Sequence, residues 1–484
     1  MLALLAMITA SVQAAPPGSV RPDTHIFQVP WWEREPTPLP PPEATAAPES
    51  QPYSLAEFSP IERVILTTWY NRSSWGYPAV TPSYTGMVKA LQDRDIPVTI
   101  CDSPEPESAA RAALSAAGVD VEAVDWMSCS LNTIWMRDFG PFFTIAEDTT
   151  TLIGDAVYAG RPLDNAFPER YATDMGHAAH RVGLTMEGGN FYSNGEGLCV
   201  TTNTIYAWYS VTESRARETF QDTLGCDETL FLEPLIDEGT GHVDMFFTFT
   251  DRDAAIMGSY DPSYDRANAE LLDRNAAALE AAGLVVHRVP MLPHEDMNGD
   301  GWDDFHTVIN GFFANTDTGQ RFLMPTYYES YPTQTAEALA AMEAAMPGVE
   351  IVEIPSDDLI TYGGSLHCVV KTVPTERWPN PCDDVYAFND DDPRCDEPDP
   401  DTGTAPDTGG PADTGSSTGN ETDTGTDGET DAGAGDGPNF QDVDDTAESA
   451  DAKAGCACTT ASPSHSGWLA LIPLAWARRR ERDA

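Results

Sequence analysis

Residues 362–374 read "YGGSLHCVVKTVP". Gly363 and Gly364 precede a serine, a leucine, a histidine and then Cys368, and "VVKTVP" follows with the β-branched content of a buried strand. Cys368 has three readings: half of a disulfide, an inert packed thiol, or a nucleophile. A thiol at the mouth of a strand, beside an imidazole and behind two glycines, sits where backbone can approach closely and where a neighbouring cation can favour the thiolate.

The surrounding chain has 484 residues, nine of them cysteine, with 78 acidic and 26 basic side chains and a formal charge of −52. Such a balance excludes nucleic-acid binding by phosphate neutralisation. In an exported protein an odd cysteine count leaves one thiol unpaired. By proximity the candidate bridges are Cys101–Cys129, Cys199–Cys226 and Cys382–Cys395, which leaves Cys368 as the unpaired cysteine within the core region. No run reaches the roughly 18 apolar residues of a membrane span.

Composition divides the chain. Residues 1–14 read as a secretory signal that lacks the usual basic n-region. Residues 15–54 form a leader, proline-rich in "VPWWEREPTPLPPPEATAAPES" (29–50). From 55 to 376, short strands such as "RVILTTW", "VDMFFTFT" and "AAIMGSY" alternate with amphipathic helices such as "ESRARETFQDTL" and "DRANAELLDRNAAALEAAG". The grouping predicts an α/β fold of repeated ββαβ-like units. Residues 377–455 are low-complexity Asp/Thr/Gly/Ser, too polar to offset ordering entropy, and are expected to be disordered. Residues 456–484 carry Cys456 and Cys458, a short apolar run and an arginine cluster, and resemble a myxobacterial C-terminal sorting tail. That resemblance implies surface retention and a sorting or processing machinery as partner, so the expected location is secreted or cell-surface anchored.

Three further stretches bear chemistry. "NTIWMRDFGPFF" holds Trp135, Arg137 and Asp138 at a strand-to-turn junction, where an Arg–Asp pair also serves to pin a loop. "MEGGNFYSNGEG" holds Glu187 and Asn190 around paired glycines, as a site wall or as a turn network. "EGTGHVDMFFTF" holds His242 and Asp244 two apart, which in a strand puts both on one face. Two carboxylates can grip a planar cation through paired charge-assisted hydrogen bonds, and a guanidinium is such a cation. Its carbon is a poor electrophile until it is fixed in place and its leaving nitrogen is protonated.

"WMRDFGP", "EGGN", "GHVD" and "GGSLHC", in that order over residues 58–376, resemble the agmatine deiminase and bacterial (porphyromonas-type) peptidylarginine deiminase family. The resemblance implies the five-bladed α/β-propeller of guanidino-group-modifying enzymes, the pentein fold. It implies Cys368 as nucleophile, His242 as proton shuttle, and Asp138 and Asp244 as holders of the guanidinium. Trp135 would line the channel, and Asn310 in "TVINGFF" would be a looser match. Glu187 and Asn190 would complete the wall, and His367 would be a neighbour, not the base. No metal or organic cofactor is required by that chemistry.

"VYAGRPLDNAFPERY" bears on substrate. Arg161 could take the carboxylate of a peptidyl-arginine, whereas it would repel the amine of agmatine. Peptidyl-arginine is therefore the expected substrate, with agmatine the alternative; an amidinotransferase or a silent, calcium-stabilised surface protein are more distant readings. Asp296, Asn298 and Asp300, with Gly301, have the spacing of a calcium loop, and Asp303 or Asp304 could stand in for the absent glutamate at position twelve, where Thr307 is found. A structural calcium, or simply an acidic solvated turn, are the two expectations there.

Overall fold

The computed structural model describes residues 52–69, 78–102, 107–146, 150–207, 211–299 and 301–375. The expected signal peptide, the acidic stretch 377–455, the sorting tail 456–484, the Cys382–Cys395 bridge and Asp300 lie outside the described residues. The leader extends less far than expected, because Tyr53–Ser54 is a strand paired antiparallel with Phe142–Ile145.

Five small mixed sheets share one wiring. A leading strand pairs antiparallel with a middle strand, and a helix then returns the chain to a third strand parallel to the middle one. In sequence order the leading and middle strands are Phe142–Ile145 with Thr151–Val157, Tyr192–Ser193 with Leu198–Thr202, Phe247–Phe249 with Ala254–Ser259, and Phe312–Phe313 with Arg321–Thr326. The fifth pair joins the two ends of the domain, Val370–Pro374 against Ile61–Thr67. The parallel partners are Ala178–Thr185, Glu228–Leu232, Val285–Pro290, Glu350–Pro355 and Val98–Asp102. This is the repeated ββαβ-like unit that the sequence predicts.

The crossover helices form for local reasons. In Glu213–Leu224, Thr212 caps the start by accepting from the Arg215 amide, and Gly225 ends the helix in the left-handed region at φ 70°. Its Ala216, Thr219, Phe220, Thr223 and Leu224 are buried, the spacing of one helical face. A side chain at Gly225 would strike the Pro52 carbonyl, so the same glycine also lets the incoming chain lie over the helix end. Two disulfides form as expected, Cys101–Cys129 and Cys199–Cys226, and Cys368 is a buried free thiol. No helix among the described residues is long and apolar enough to cross a membrane.

Candidate active site

Polar residues of the site cluster at one recurring place, the segment just before a leading strand. Asp138 lies on the one-turn helix Met136–Phe139 before Phe142–Ile145. The turn Gly188–Asn190 precedes Tyr192–Ser193, and Val243–Met245, capped by His242, precedes Phe247–Phe249. Asn310 precedes Phe312–Phe313, and the turn His367–Val369 carries Cys368 into Val370–Pro374. His242 and Asp244 thus share a site through a 3-10 turn, not through strand alternation as the sequence pattern predicted. The correction has a physical cause: a strand would carry both along a pleated face, whereas a turn folds them towards one point.

Gly189 locates that point. A methyl group at its Cα would fall 2.8 Å from Asp244 Oδ2, 2.8 Å from His242 Nδ1 and 2.9 Å from Asp138 Oδ1. At Gly364 it would fall 2.7 Å from Cys368 Sγ and 3.2 Å from the Trp135 ring. The second glycine of each pair, Gly189 and Gly364, is therefore the floor of the site, and any side chain there would fill it. Cys368 Sγ lies 3.8 Å from Asp244 Oδ2 and 3.4 Å from Asn310 Oδ1.

Each group is held from behind. Asp138 accepts from the Gly189 amide at 3.2 Å. His242 Nε2 meets Glu187 Oε2 at 2.7 Å, which leaves Nδ1, 3.7 Å from Asp138 Oδ1, towards the cleft. Asp244 Oδ2 pairs with His367 Nδ1 at 2.8 Å, while its buried Oδ1 has no hydrogen-bond partner. An orphaned, fully buried carboxylate oxygen carries a desolvation cost that a donor from a substrate would relieve. His367 is itself fully buried, with Glu57 Oε2 2.9 Å from its Nε2 and the Tyr192 ring stacked at 5.3 Å. Glu57 pairs in turn with Arg137 Nη1. No sequence pattern pointed to Glu57: it sits in "LAEF", with nothing to set it apart from a surface acid.

The charges shape protonation. Burial, with help from Glu187 and Asp244 and against His242 and the Gly189 amide, pushes Asp138 up to about 7. Burial opposes charge on His242, but Asp138, Glu187 and Asp244 outweigh it and lift the imidazole to about 10. Burial and the two aspartates push the Cys368 thiol well above its ordinary value.

Other predicted residues find different places. Asn190 gives both amide hydrogens to Thr202 and Thr204 at 2.9 Å, and its oxygen accepts from the Thr202 and Val243 amides at 3.1 Å. An amide has no further capacity, so Asn190 braces two turns and is corrected from a substrate contact to a support. Asn310 similarly ties the Ser365 amide (3.0 Å) to the Asp244 carbonyl (3.3 Å) while touching the thiol. Trp135 is 4% exposed, with its indole N–H unpartnered. Arg161 is half-buried before the short helix Pro162–Asn165, and its charge acts on Asp164 and Tyr158. Asp164 accepts from the Asn132 amide at 2.5 Å and from the Thr133 hydroxyl at 2.9 Å, which braces the loop leading to Trp135.

The calcium expectation finds no support among the described residues. The loop is the tip of a hairpin, His294–Glu295 against Asp304–Phe305. Asp296 turns its two oxygens onto the Gly299 and Gly301 amides at 2.7 and 2.8 Å, and Asp304 accepts from the Met297 amide at 3.1 Å. Asn298 donates to the Thr361 carbonyl at 3.0 Å. Among the described residues no group of three acidic, histidine or cysteine side chains is gathered for a metal.

Comparison with known proteins places this geometry. The chain is 25% identical over 383 residues to an agmatine deiminase of Pseudomonas aeruginosa (strain LESB58), covering 69% of this chain and 98% of that one. It is 24% identical over 377 residues to that of Stutzerimonas stutzeri (strain A1501), with 68% and 98% covered. The fold matches the agmatine deiminase of Enterococcus faecalis at a TM-score of 0.60 and 19% identity, covering 69% of this chain and all of that one. It matches that of C. jejuni at 0.58 and 18%, covering 68% and 98%. The likeness to these solved structures puts the described domain in the α/β pentein fold class. The family profile of the Porphyromonas-type peptidyl-arginine deiminases matches residues 53–374, from the first described strand to the last, and the chain belongs to that family.

Proposed function

We propose that the chain hydrolyses the guanidinium of agmatine or a closely similar alkylguanidine to a ureido group and ammonia. The carrying observation is the convergence on Gly189: two carboxylates and an imidazole within 3 Å of one point, with the thiol beside it across Gly364. We read the five sheets as five blades around this centre. Asp138 and Asp244 hold the cation, and Asp244 Oδ1 gains the donor it lacks. The guanidinium then cancels the negative field that keeps the thiol protonated. Cys368 loses its proton to solvent, its sulfur bonds to the guanidinium carbon, and the bond to a terminal nitrogen breaks. His242, protonated and held by Glu187, gives that nitrogen its proton, and ammonia leaves. The resulting thiouronium is opened by water, which yields one proton to His242 on attack and the other to the departing Cys368 sulfur as the carbon–sulfur bond breaks. No metal or organic cofactor enters these steps.

The substrate's far end is argued from charge. The relatives named agmatine deiminase support an amine there. A second cavity, lined by Asp237, Glu238, Asp303 and Asp304 with Trp302, includes Thr240, Met245 and Gly363, chain neighbours of the site turns, and suits a cation. The peptidyl-arginine reading keeps one observation, Arg161, whose charge already acts on the buried Asp164. We also read the chain as exported and retained at the surface through its tail; the two disulfides support an oxidising compartment. The test is ammonia release from agmatine against release from a peptide ending in arginine. Agmatine is expected to turn over faster; a faster peptide reverses the substrate assignment, and inactivity towards both rejects the function.

A further inference from the structure

On the Nε2 side of His367, away from Cys368, lies a cavity of about 50 Å³ lined by Glu57, Arg137, Phe142, Tyr192, Ser193 and Lys371, among others. One water needs about 10–15 Å³ on this measure, so the space takes a few waters or one very small molecule. Its polar lining is unusual in sign. Arg137 is 1% exposed; it pairs through Nη1 with Glu57 and through Nε with the His367 carbonyl at 3.4 Å, while Nη2 has no partner. Lys371 is 7% exposed and forms no hydrogen bond or ion pair among the described residues; its ammonium lies 5.2 Å from the Phe142 ring centroid. Glu57, the acid of this lining, is already engaged by Arg137 and His367. Arg137 Nη2 is thus left without a hydrogen-bond partner, and the Lys371 ammonium has no anion in direct contact, Glu57 and Asp138 acting on it only from a distance.

We propose that this cavity binds a small carboxylate of formate or acetate size, held between Arg137 Nη2 and the Lys371 ammonium. Two charge-assisted hydrogen bonds would satisfy both nitrogens, and the methyl of acetate would meet Phe142. The catalytic cleft cannot substitute for this site, because its lining is acidic. The groups facing Lys371 agree: burial and Arg137 lower its ammonium to about 7, against Glu57 and Asp138. A bound carboxylate favours the charged form, so binding at pH 8 takes up part of a proton. At pH 5.5 Lys371 is already charged and no such uptake arises from it.

The experiment is titration calorimetry of the full chain with sodium acetate against sodium chloride at equal ionic strength, in two buffers of different ionisation enthalpy. One acetate should bind per chain, with proton uptake at pH 8 that disappears at pH 5.5. Benzoate, too large for the cavity, should not bind. Lys371→Met should weaken acetate at least tenfold and abolish the uptake, and Cys368→Ala should leave both unchanged. Absence of saturable acetate binding to the unsubstituted chain, meaning that the cavity holds water only, overturns the proposal. So does acetate binding to Lys371→Met with undiminished affinity. Should that variant not fold, the pH dependence of proton uptake in the unsubstituted chain still decides.

Discussion

The two sides of His367 carry buried charge of opposite kind. Of the charged groups, the one left with an unsatisfied atom on the thiol side is a carboxylate, Asp244 at Oδ1; on the far side it is a guanidinium, Arg137 at Nη2. The ring between them has a carboxylate at each nitrogen, Asp244 on one and Glu57 on the other. On the proposed function the thiol side receives a cation, and its residual charge holds a delocalised electrophile still. The far side is mostly internal pairing, and its role is to keep Asp244 aimed. Burial alone therefore does not mark function; the sign and incompleteness of the pairing do.

Perturbing the thiol side should show the largest effects. Cys368→Ala is expected to lower kcat by more than about 1000-fold, measured as ammonia release, with the fold intact by circular dichroism. Residual activity within tenfold would remove Cys368 from the mechanism. Gly189→Ala should cost about 100-fold in kcat/KM, because the methyl enters the space that the cation needs. Rates unaffected by that methyl would mean that the cation binds elsewhere.

On the far side the readout moves to stability. Glu57→Gln leaves Arg137 buried without its counter-charge and is expected to destabilise by about 3–5 kcal/mol in denaturant unfolding. Burial opposes the ionised Glu57, but Arg137 and His367 hold its carboxyl well below the ordinary range. Its contribution is thus present above the unfolded value near 4.5 and is lost as pH falls below it towards the folded value. An unfolding midpoint that moves by less than the equivalent of about 1 kcal/mol would show that the pair is not load-sharing.

The mildest probe is pH. With Asp138 raised to about 7, kcat/KM should fall as pH drops through about 7, by up to tenfold per unit, since the neutral carboxyl releases the cation. Asp138→Asn should abolish this limb as well as lower the rate. A limb that persists in the variant belongs to another group.

Much of this was legible in the sequence because the motifs are short and ordered along the chain. "WMRDFGP", "EGGN", "GHVD" and "GGSLHC" each contribute a turn that enters a strand, and the ββαβ rhythm is visible in helix and strand periodicity. The local geometry of His242 and Asp244 was not legible, since alternation and a 3-10 turn leave similar patterns over three residues. Asn190 looked like a ligand because an amide beside glycines is ambiguous until its four hydrogen bonds are counted. The aspartates of the 296–304 loop matched a calcium spacing, yet spacing does not say whether carboxylates face an ion or their own backbone. Glu57 could not be read at all; its importance arises from contacts with Arg137 and His367, remote in sequence.

The pairing of Val370–Pro374 with Ile61–Thr67 has a consequence for synthesis. During translation the emerging polypeptide completes four of its sheets, and all four acids Glu57, Asp138, Glu187 and Asp244, before the thiol leaves the ribosome. The strand Ile61–Thr67 must wait, with one edge unfilled, for the last. On the proposed mechanism, nascent chains thus carry a cation trap without a nucleophile until Cys368 has emerged and its strand has paired.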